Sequence, residues 1–166
     1  MTRSRMIGLG VVVVIVAGVV VAEVATSGGG QGARPAPALP TQVLSGHRVD
    51  LAALRGKPAL INFWASWCGP CKREAPELRR FAEQVHGRAA LVGVDWNDNP
   101  ASAHAFIIAS HWSYPVLRDS SGNVGTSYGI NGLPTTFVLN RSGDIVQKLQ
   151  GPQTVATLER AISAAD

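Results

Sequence analysis

The chain has 166 residues, a formal net charge of +4 and two cysteines. That length suits one domain with a hydrophobic core, once a separate N-terminal segment is set aside. The basic residues are scattered apart from one helix and are not interleaved with aromatic residues, so the pattern excludes nucleic acid as an expected partner.

Residues 1–26 predict an N-terminal membrane anchor or a signal peptide. Arg3 and Arg5 precede the uncharged apolar run 6–22, which as a helix would span roughly 25 Å, slightly less than a hydrocarbon core of about 30 Å. Arginines on this side of the run favour export of everything that follows. A cleaved signal peptide is the alternative, although the small-residue cleavage sites near residues 22 and 27 are weak.

Both interpretations place the rest of the chain outside the cytoplasm, at the cell membrane if the helix is retained and secreted if it is cleaved. Residues 27–40 are glycine-rich and then proline-rich, a composition that buries little apolar surface and suits a linker. We therefore divide the chain into an anchor or signal peptide (1–26), a linker (27–40) and one domain (41–166).

The first half of the domain predicts strands and helices in alternation. Four elements are expected: a β-hairpin over 43–51, a buried strand over 59–65, a helix over 68–86 and a second buried strand over 89–96. Gly87 should end the helix, and Pro76 inside it removes one backbone donor and should kink it.

The second half predicts shorter elements. They are a helix over 100–110 capped by Asn99, a strand within 114–119, a brief helix over 123–128, a hairpin formed by 135–140 and 144–149, and a last helix capped by Thr154. Strands that alternate with helices, followed by a hairpin and a helix, indicate an α/β fold. We expect a three-layer sandwich with a central mixed sheet, helices on both faces and the 43–51 hairpin as an N-terminal extension.

The chemistry of the chain is concentrated at its two cysteines, Cys68 and Cys71. At the start of a helix, the Cys68 sulfur would meet unpaired backbone N–H groups and the positive end of the helix dipole, both of which stabilise a thiolate. Cys71 follows at i+3, where a disulfide can close across the first turn. Cys68 can then attack a disulfide of a partner protein, and Cys71 can release the mixed disulfide. Trp67 should shield one side of the sulfurs.

Three other interpretations of the cysteine pair remain open. The pair could be a structural disulfide, although so short a loop constrains the unfolded chain little, or it could be inert. A zinc site would need more ligands, and the four histidines (His47, His86, His104 and His111) show no metal spacing with the pair. The sequence indicates no cofactor and no metal.

The segment FWASWCGPCKREAP, residues 63–76, resembles the active-site segment of thioredoxins. GLPTTF, residues 132–137, is similar to the thioredoxin loop in which a cis proline faces the disulfide, so the resemblance implies that the Leu133-Pro134 bond is cis. It also implies which residues form the site: Cys68, Cys71, Glu74 and Pro134 as catalytic residues, and Trp67, Gly69, Pro70 and Leu133 as substrate-binding residues.

The span 37–162 resembles one branch in particular, the exported and often membrane-anchored thioredoxins of the TlpA/ResA type, which include the CcmG/DsbE proteins. This resemblance implies a thioredoxin-like fold and, for some members, disulfide reduction in cytochrome c maturation. Two positions depart from thioredoxin patterns. Asn62 stands where cytoplasmic thioredoxins have a buried aspartate, and Thr135 stands where the CcmG type has an acidic residue.

Because Asn62 cannot exchange a proton, Glu74 is the candidate to accept the proton of Cys71, which lies three residues earlier on the helix. The alternative is a solvated carboxylate paired with an arginine.

The basic residues of the same helix (Lys72, Arg73, Arg79 and Arg80) predict a solvated face partly paired with Glu77 and Glu83. Alternatively, Lys72 and Arg73 lower the pKa of Cys68 or attract an acidic partner. Trp64, Trp96 and Phe106 are expected in the core.

The predicted function is exchange of a dithiol with a disulfide of protein substrates outside the cytoplasm. Thioredoxin, which has the same Gly-Pro pair, has a potential of about −270 mV against about −120 mV for the oxidant DsbA, so we expect a reductase. Such a reductase needs a membrane thiol-disulfide electron donor as a partner. Alternatives are an exported disulfide-forming oxidase and a non-catalytic binding module. A redoxin-type peroxidase is disfavoured, because no threonine has a cysteine three residues after it.

Overall fold

A computed structural model describes residues 32–85 and 87–166 of the chain. These residues form seven strands and four α-helices, and a 3-10 helix (Ala52–Leu54) precedes the third strand. The strands are β1 (Arg34–Pro35), β2 (Gln42–Ser45), β3 (Ala59–Trp64), β4 (Ala90–Trp96), β5 (Val116–Asp119), β6 (Thr135–Leu139) and β7 (Asp144–Gln150). The helices are α1 (Gly69–Val85), α2 (Pro100–Ala109), α3 (Asn123–Tyr128) and α4 (Val155–Ala165).

The strands form one mixed sheet in the order β1-β7-β6-β3-β4-β5-β2. The central strand β3 runs parallel to β4 and antiparallel to β6. Every residue of β3 is buried, as the continuous apolar run predicts for a strand that is covered on both faces. The carboxyl end of β3 therefore lies inside the protein, and the predicted active-site segment begins there.

Helices cover both faces of the sheet, and each face has its own core. One core contains Leu60, Leu78, Phe81 and Leu158, from the side of α1 and α4. The other contains Ile61, Phe63, Tyr128 and Phe137. Consecutive β3 residues alternate between the two cores because side chains point to opposite faces of a strand. This arrangement confirms the predicted three-layer α/β sandwich.

The residues predicted to cap helices occupy the cap positions in the structure. The side chain of Asn99 accepts hydrogen bonds from the backbone N–H groups of Ala101 and Ser102, and Pro100 is the first residue of α2. Thr154 caps α4 by accepting a bond from Thr157 N–H. The predicted hairpin of β6 and β7 is confirmed by their antiparallel pairing, and Pro76 lies inside α1.

The expected N-terminal hairpin over 43–51 is wrong. Strand β2 ends at Ser45 and pairs with β5, whereas residues 46–50 form no strand. Strand β1 pairs with β7 at the opposite edge of the sheet. Local alternation of apolar residues predicted a partner next in the sequence, but the chain instead leaves β2 for the 3-10 helix and then β3.

Part of the predicted linker contacts the domain. Arg34 donates a hydrogen bond to the carbonyl oxygen of Tyr128, and the Tyr128 hydroxyl donates one to Pro37 O at 2.7 Å. Leu39 is buried in the second core. The predicted anchor or signal peptide (1–26) lies outside the described residues, so the division of the chain at residues 26 and 40 stays a prediction. Within residues 32–85 and 87–166, no helix has the length and apolar character needed to cross a bilayer.

Candidate active site

The two cysteines lie at the start of α1, just beyond the carboxyl end of β3. After Trp64 the chain makes a short turn, in which Cys68 N–H donates a hydrogen bond to Ala65 O at 3.1 Å. Helix α1 begins at Gly69, and Lys72 N–H bonds to Cys68 O at 3.2 Å. Cys68 therefore lies at the N-terminal end of α1, where the sequence predicts it, although the helix begins one residue later than expected.

Cys68 and Cys71 are joined by a disulfide bond, with 5.2 Å between their Cα atoms. The backbone N–H of Cys71 points to the Cys68 sulfur, with an N–Sγ distance of 3.1 Å. Unpaired N–H groups at a helix start stabilise a thiolate at this position once the disulfide is reduced. The i+3 spacing thus allows both the closed disulfide and an activated Cys68.

Both cysteines are buried, whereas their neighbours form a partly exposed rim. Cys68 is 4% exposed and Cys71 2%, but the adjacent Trp67 is 59% exposed. Gly69 is exposed and Pro70 half-buried. The large apolar side chain of Trp67 therefore remains exposed next to the buried sulfurs.

The loop before β6 contains the proline that the sequence singles out. The Leu133-Pro134 peptide bond is cis, which confirms the expectation drawn from the loop sequence. Leu133 packs against the same apolar cluster that contains Cys68 and Cys71. The loop is closed by the Thr135 hydroxyl, which donates a hydrogen bond to Gly132 O at 2.7 Å, and Pro134 O accepts one from Gly151 N–H at 2.9 Å.

Glu74 lies one turn after Cys71 and is 1% exposed. Its Oε2 accepts a hydrogen bond from Asn62 Nδ2 at 3.1 Å, and its Oε1 accepts one from the backbone N–H of Gln153 at 2.9 Å. Burial raises the pKa of the Glu74 carboxyl from about 4.5 to about 7, and the bonds from Gln153 and Asn62 offset part of that rise. The alternative of a solvated carboxylate paired with an arginine is therefore wrong.

Asn62 links helix α1 to the sheet through its side-chain hydrogen bonds. It is fully buried on β3, and its Nδ2 donates to Thr136 Oγ1 on β6 at 2.9 Å as well as to Glu74. Sequence reasoning missed Thr136 and Gln153 as partners of this group. No local pattern connects them, because they are contributed by β6 and by the segment before α4.

The comparisons with known proteins agree with this geometry. The model of the AhpC/TSA family matches residues 33–148. The chain belongs to the AhpC/TSA family. It is 31% identical to the thiol-disulfide oxidoreductase ResA of Bacillus subtilis over 120 residues, which cover 72% of this chain and 67% of that protein.

A second relative is the thiol:disulfide interchange protein DsbE of Pseudomonas aeruginosa. It is 36% identical over 121 residues, which cover 71% of this chain and 66% of DsbE. Among solved structures, a thiol:disulfide interchange protein of the thioredoxin family from Chlorobium tepidum has a TM-score of 0.72 and 28% identity, covering 80% of this chain and 96% of that one. The chain is thus a thiol-disulfide oxidoreductase of the ResA/DsbE type with its cysteine pair at Cys68 and Cys71.

The basic face of α1 in this oxidoreductase is solvated and partly paired, as predicted. Arg79 forms an ion pair with Glu83 at 3.0 Å, and Arg80 forms one with Glu77. Lys72 and Arg73 are exposed and have no ion pair among the described residues. Exposed pairs of this kind contribute little to stability.

The aromatic residues beside the active-site turn are structural. Trp64 is fully buried, and its ring stacks on Phe106 with 4.9 Å between centroids. The Trp112 ring lies edge-on to Trp64, and its indole Nε1 donates to Ala75 O of α1 at 3.1 Å. Trp96 is half-buried against the second core. Trp64 thus belongs to the core, and Phe106 and Trp96 pack against it as half-buried rings, as expected. The contacts of Trp112 fix α1 relative to β3.

Proposed function

We propose that this oxidoreductase is an extracytoplasmic protein disulfide reductase that uses Cys68 as its nucleophile and Cys71 as its resolving thiol. One observation carries the proposal: the two sulfurs close a disulfide at the first turn of α1, where Cys71 N–H lies 3.1 Å from Cys68 Sγ. A thiolate at Cys68 would keep this N–H as a hydrogen-bond donor. The names of the relatives ResA and DsbE, thiol-disulfide oxidoreductase and thiol:disulfide interchange protein, describe the same class of reaction.

The first step is attack on the disulfide of a partner protein. The Cys68 thiolate displaces one partner sulfur, so that a mixed disulfide forms and the partner's first thiolate leaves. The partner must approach over the rim, because Cys68 itself is buried. We assign substrate contacts to the rim residues Trp67, Gly69 and Pro70 and to Leu133 of the cis-proline loop.

The second step closes the Cys68–Cys71 disulfide. The Cys71 thiolate attacks Cys68 Sγ, the mixed disulfide breaks, and the partner's second thiolate leaves, so two electrons have passed from the dithiol to the partner. Cys71 must lose its proton first. Glu74 is our candidate acceptor because it follows Cys71 by one turn and its pKa of about 7 leaves it about half ionised at neutral pH.

Pro134 is the fourth proposed catalytic residue. It is buried in the cis loop, and its neighbour Leu133 packs against the apolar cluster that contains Cys68 and Cys71. Proline has no backbone N–H, so this position cannot donate a hydrogen bond to a thiolate or to a partner backbone. We propose that the loop shapes the surface on which the partner lies next to the disulfide.

The direction of electron flow is proposed from the Gly-Pro pair between the cysteines. Equilibration of the purified chain with glutathione or thioredoxin mixtures of known potential would measure it. We expect a potential nearer to about −270 mV, the value of thioredoxin, than to about −120 mV, the value of DsbA. A value near that of DsbA would instead make the protein a disulfide-forming oxidase.

The location and the upstream partner are proposed from the N-terminal sequence. Residues 1–26 would hold the domain outside the membrane, and a membrane thiol-disulfide transporter would supply electrons. Tethering raises the effective concentration of such a donor. Protease added to intact cells should degrade the domain, and N-terminal sequencing of the mature protein would distinguish a retained anchor from a cleaved signal peptide.

Trapping of the mixed disulfide tests the exchange mechanism directly. A full-length Cys71→Ser chain should accumulate mixed disulfides with its partners in cells, whereas Cys68→Ser should trap none. Identification of the trapped proteins would show whether an apocytochrome c is among them. If the Cys71→Ser chain traps no thiol protein and the wild type does not reduce insulin, the proposed function is wrong.

A further inference from the structure

The turn that follows β4 reaches across to the backbone just before the cysteines. Asp98 Oδ2 accepts a hydrogen bond from Ser66 N–H at 2.5 Å, and its Oδ1 accepts one from Asn99 N–H at 2.7 Å. Ser66 lies two residues before Cys68, in the short segment between β3 and α1. The carboxylate of Asp98 therefore joins the end of β4 to the entrance of the active-site helix.

Several contacts hold Asp98 in this place. Asn97 has a φ of 51°, a left-handed conformation that turns the chain sharply at the end of β4, and its N–H donates to Asp119 O at 3.0 Å. Arg118 Nη2 donates to the carbonyl oxygen of Asp98 at 3.1 Å. The turn is thus fixed by the neighbouring strand β5, and a left-handed asparagine is tolerated where such contacts support it.

Two buried carboxylates, Asp95 and Asp119, and the half-buried Arg118 lie near Asp98. Asp95 is fully buried, with Arg118 Nε 3.8 Å from its Oδ2. Asp119 Oδ2 accepts a hydrogen bond from Gly125 N–H at 2.8 Å. Burial first, and the charge of Asp98 second, raise the pKa of Asp95 to about 7, while Arg118 opposes that rise. Of these three carboxylates, Asp98 is the one with a hydrogen bond to the segment that contains the cysteines.

The hydrogen bond of Ser66 N–H helps to fix the backbone turn that positions Cys68. The segment from Ala65 to Cys68 also makes the bond from Cys68 N–H to Ala65 O, which forms only if the turn is closed. A charge-assisted bond at Ser66 is stronger than a neutral one. Loss of that bond would free the turn, and the position of Cys68 Sγ relative to the first N–H groups of α1 would become variable.

We propose that Asp98 is a positioning residue for Cys68: by holding Ser66 N–H, it keeps the sulfur of Cys68 aligned with the N–H of Cys71. The role rests on the proposed function, in which Cys68 is the attacking thiolate. Asp98 itself contacts no reacting atom. It acts through the backbone of Ser66, and its effect is on the alignment of the nucleophile.

The test measures the alkylation of Cys68 against pH in full-length chains that carry Cys71→Ser, so that one thiol remains. Alignment and charge predict opposite results. If Asp98 aligns Cys68, Asp98→Ala should raise the midpoint of the profile by about one pH unit, whereas Asp98→Asn should change it little because the amide oxygen still accepts the bond. If Asp98 acts only as a nearby negative charge, both variants should lower the midpoint.

Insulin reduction by chains with both cysteines supplies a second readout. We expect about a tenfold loss in rate for Asp98→Ala and recovery to within about twofold for Asp98→Asn. Asp50→Ala is the matched control, since the exposed Asp50 also accepts a backbone N–H bond, from Ala53 at 2.9 Å, outside the cysteine segment. It should leave both readouts unchanged.

The outcomes separate this proposal from the proposed function. A midpoint that falls in both Asp98 variants, or that does not move in Asp98→Ala, overturns the positioning role while the wild type still reduces insulin. An ordinary thiol midpoint in the chain that carries Cys71→Ser alone, together with no insulin reduction by the wild type, would overturn the proposed function instead. If Asp98→Ala does not fold, Asp98→Ser replaces it, because its shorter side chain cannot span the gap to Ser66.

Discussion

Asn62 and Glu74 form a buried hydrogen bond between the central strand and the active-site helix, with 3.1 Å between Nδ2 and Oε2. Asn62 uses its other amide hydrogen on Thr136, and the second oxygen of Glu74 accepts from Gln153 N–H. Both oxygens of the acid thus have neutral donors, and no basic side chain bonds to them among the described residues. This is why burial dominates and the pKa of Glu74 rises to about 7.

Glu74→Gln should reduce the pH dependence of stability. Below about pH 4.5 the carboxyl is protonated in both the folded and the unfolded chain. As the pH rises toward 7, the unfolded chain loses this proton first, so the free energy of unfolding of the wild type falls, by an amount on the order of 3 kcal/mol for a shift from 4.5 to about 7. The glutamine variant lacks this contribution.

Urea unfolding of the oxidised protein between pH 4.5 and 8 measures the effect without titration of thiols. The NH₂ group of the new glutamine faces one of the two donors, Asn62 Nδ2 or Gln153 N–H, and this lowers stability by the same amount at every pH. The informative quantity is therefore the slope of the unfolding free energy against pH. Glu83→Gln is the control, since Glu83 is 53% exposed in its side chain. Parallel curves for wild type and Glu74→Gln would contradict the assigned pKa.

Asn62→Asp should destabilise the protein most at alkaline pH. The change replaces a donor to Glu74 with a second buried acid, and two carboxylates at this distance cannot both ionise without cost. At pH 5 one acid can keep its proton and donate it to the other, so the loss in unfolding free energy should be smaller there than the loss of about 3 kcal/mol expected at pH 8. Asn123→Asp, at an exposed position, should show no such dependence. Equal losses at both pH values would argue against a shared proton.

The cysteine site could be predicted from the sequence because its signals are local. Cys68 and Cys71 are three residues apart, a helix start lies between them, and the proline loop has its own short motif. The caps at Asn99 and Thr154 are local in the same sense, since each bonds to N–H groups within three residues. Such features depend on backbone geometry over one helical turn and need no tertiary information.

The parts that could not be predicted depend on distant pairing. Glu74 is buried because Asn62 and Gln153, 12 and 79 residues away, provide its donors, and the helical spacing of Glu74 fits an exposed position equally well. The predicted hairpin over 43–51 was wrong for the same reason. Strand β2 pairs with the distant strand β5, so that Val43 lies opposite Leu117. Asp98 was missed because its bond to Ser66 crosses 32 residues.

Tyr128→Phe should weaken the attachment of the segment before β2. The hydroxyl donates to Pro37 O at 2.7 Å, whereas the ring packs against Phe63 and Phe137, and phenylalanine keeps that packing. We expect a loss of about 1 kcal/mol in unfolding free energy and faster proteolysis within residues 32–40.

Tyr114→Phe is the control, because the buried Tyr114 hydroxyl has no hydrogen-bond partner in the described structure and its removal should cost nothing. Unchanged proteolysis in Tyr128→Phe would show that other contacts hold the segment.

Gly125→Ala should lower stability although it places alanine in a helix. A methyl group at Gly125 would overlap the indole Nε1 of Trp96, a rigid ring that donates to Gly122 O at 3.2 Å and cannot move without loss of that bond. Helix propensity favours alanine by about 1 kcal/mol, but overpacking at a rigid ring costs about 1–3 kcal/mol, so the net change should be destabilising. Thermal unfolding measures it, with Gly132→Ala as the control because, apart from its two chain neighbours, no atom of the described residues lies within 4 Å of its added Cβ. A Gly125→Ala protein as stable as the wild type would mean that Trp96 can shift, and the indole would then not be held by its bond to Gly122.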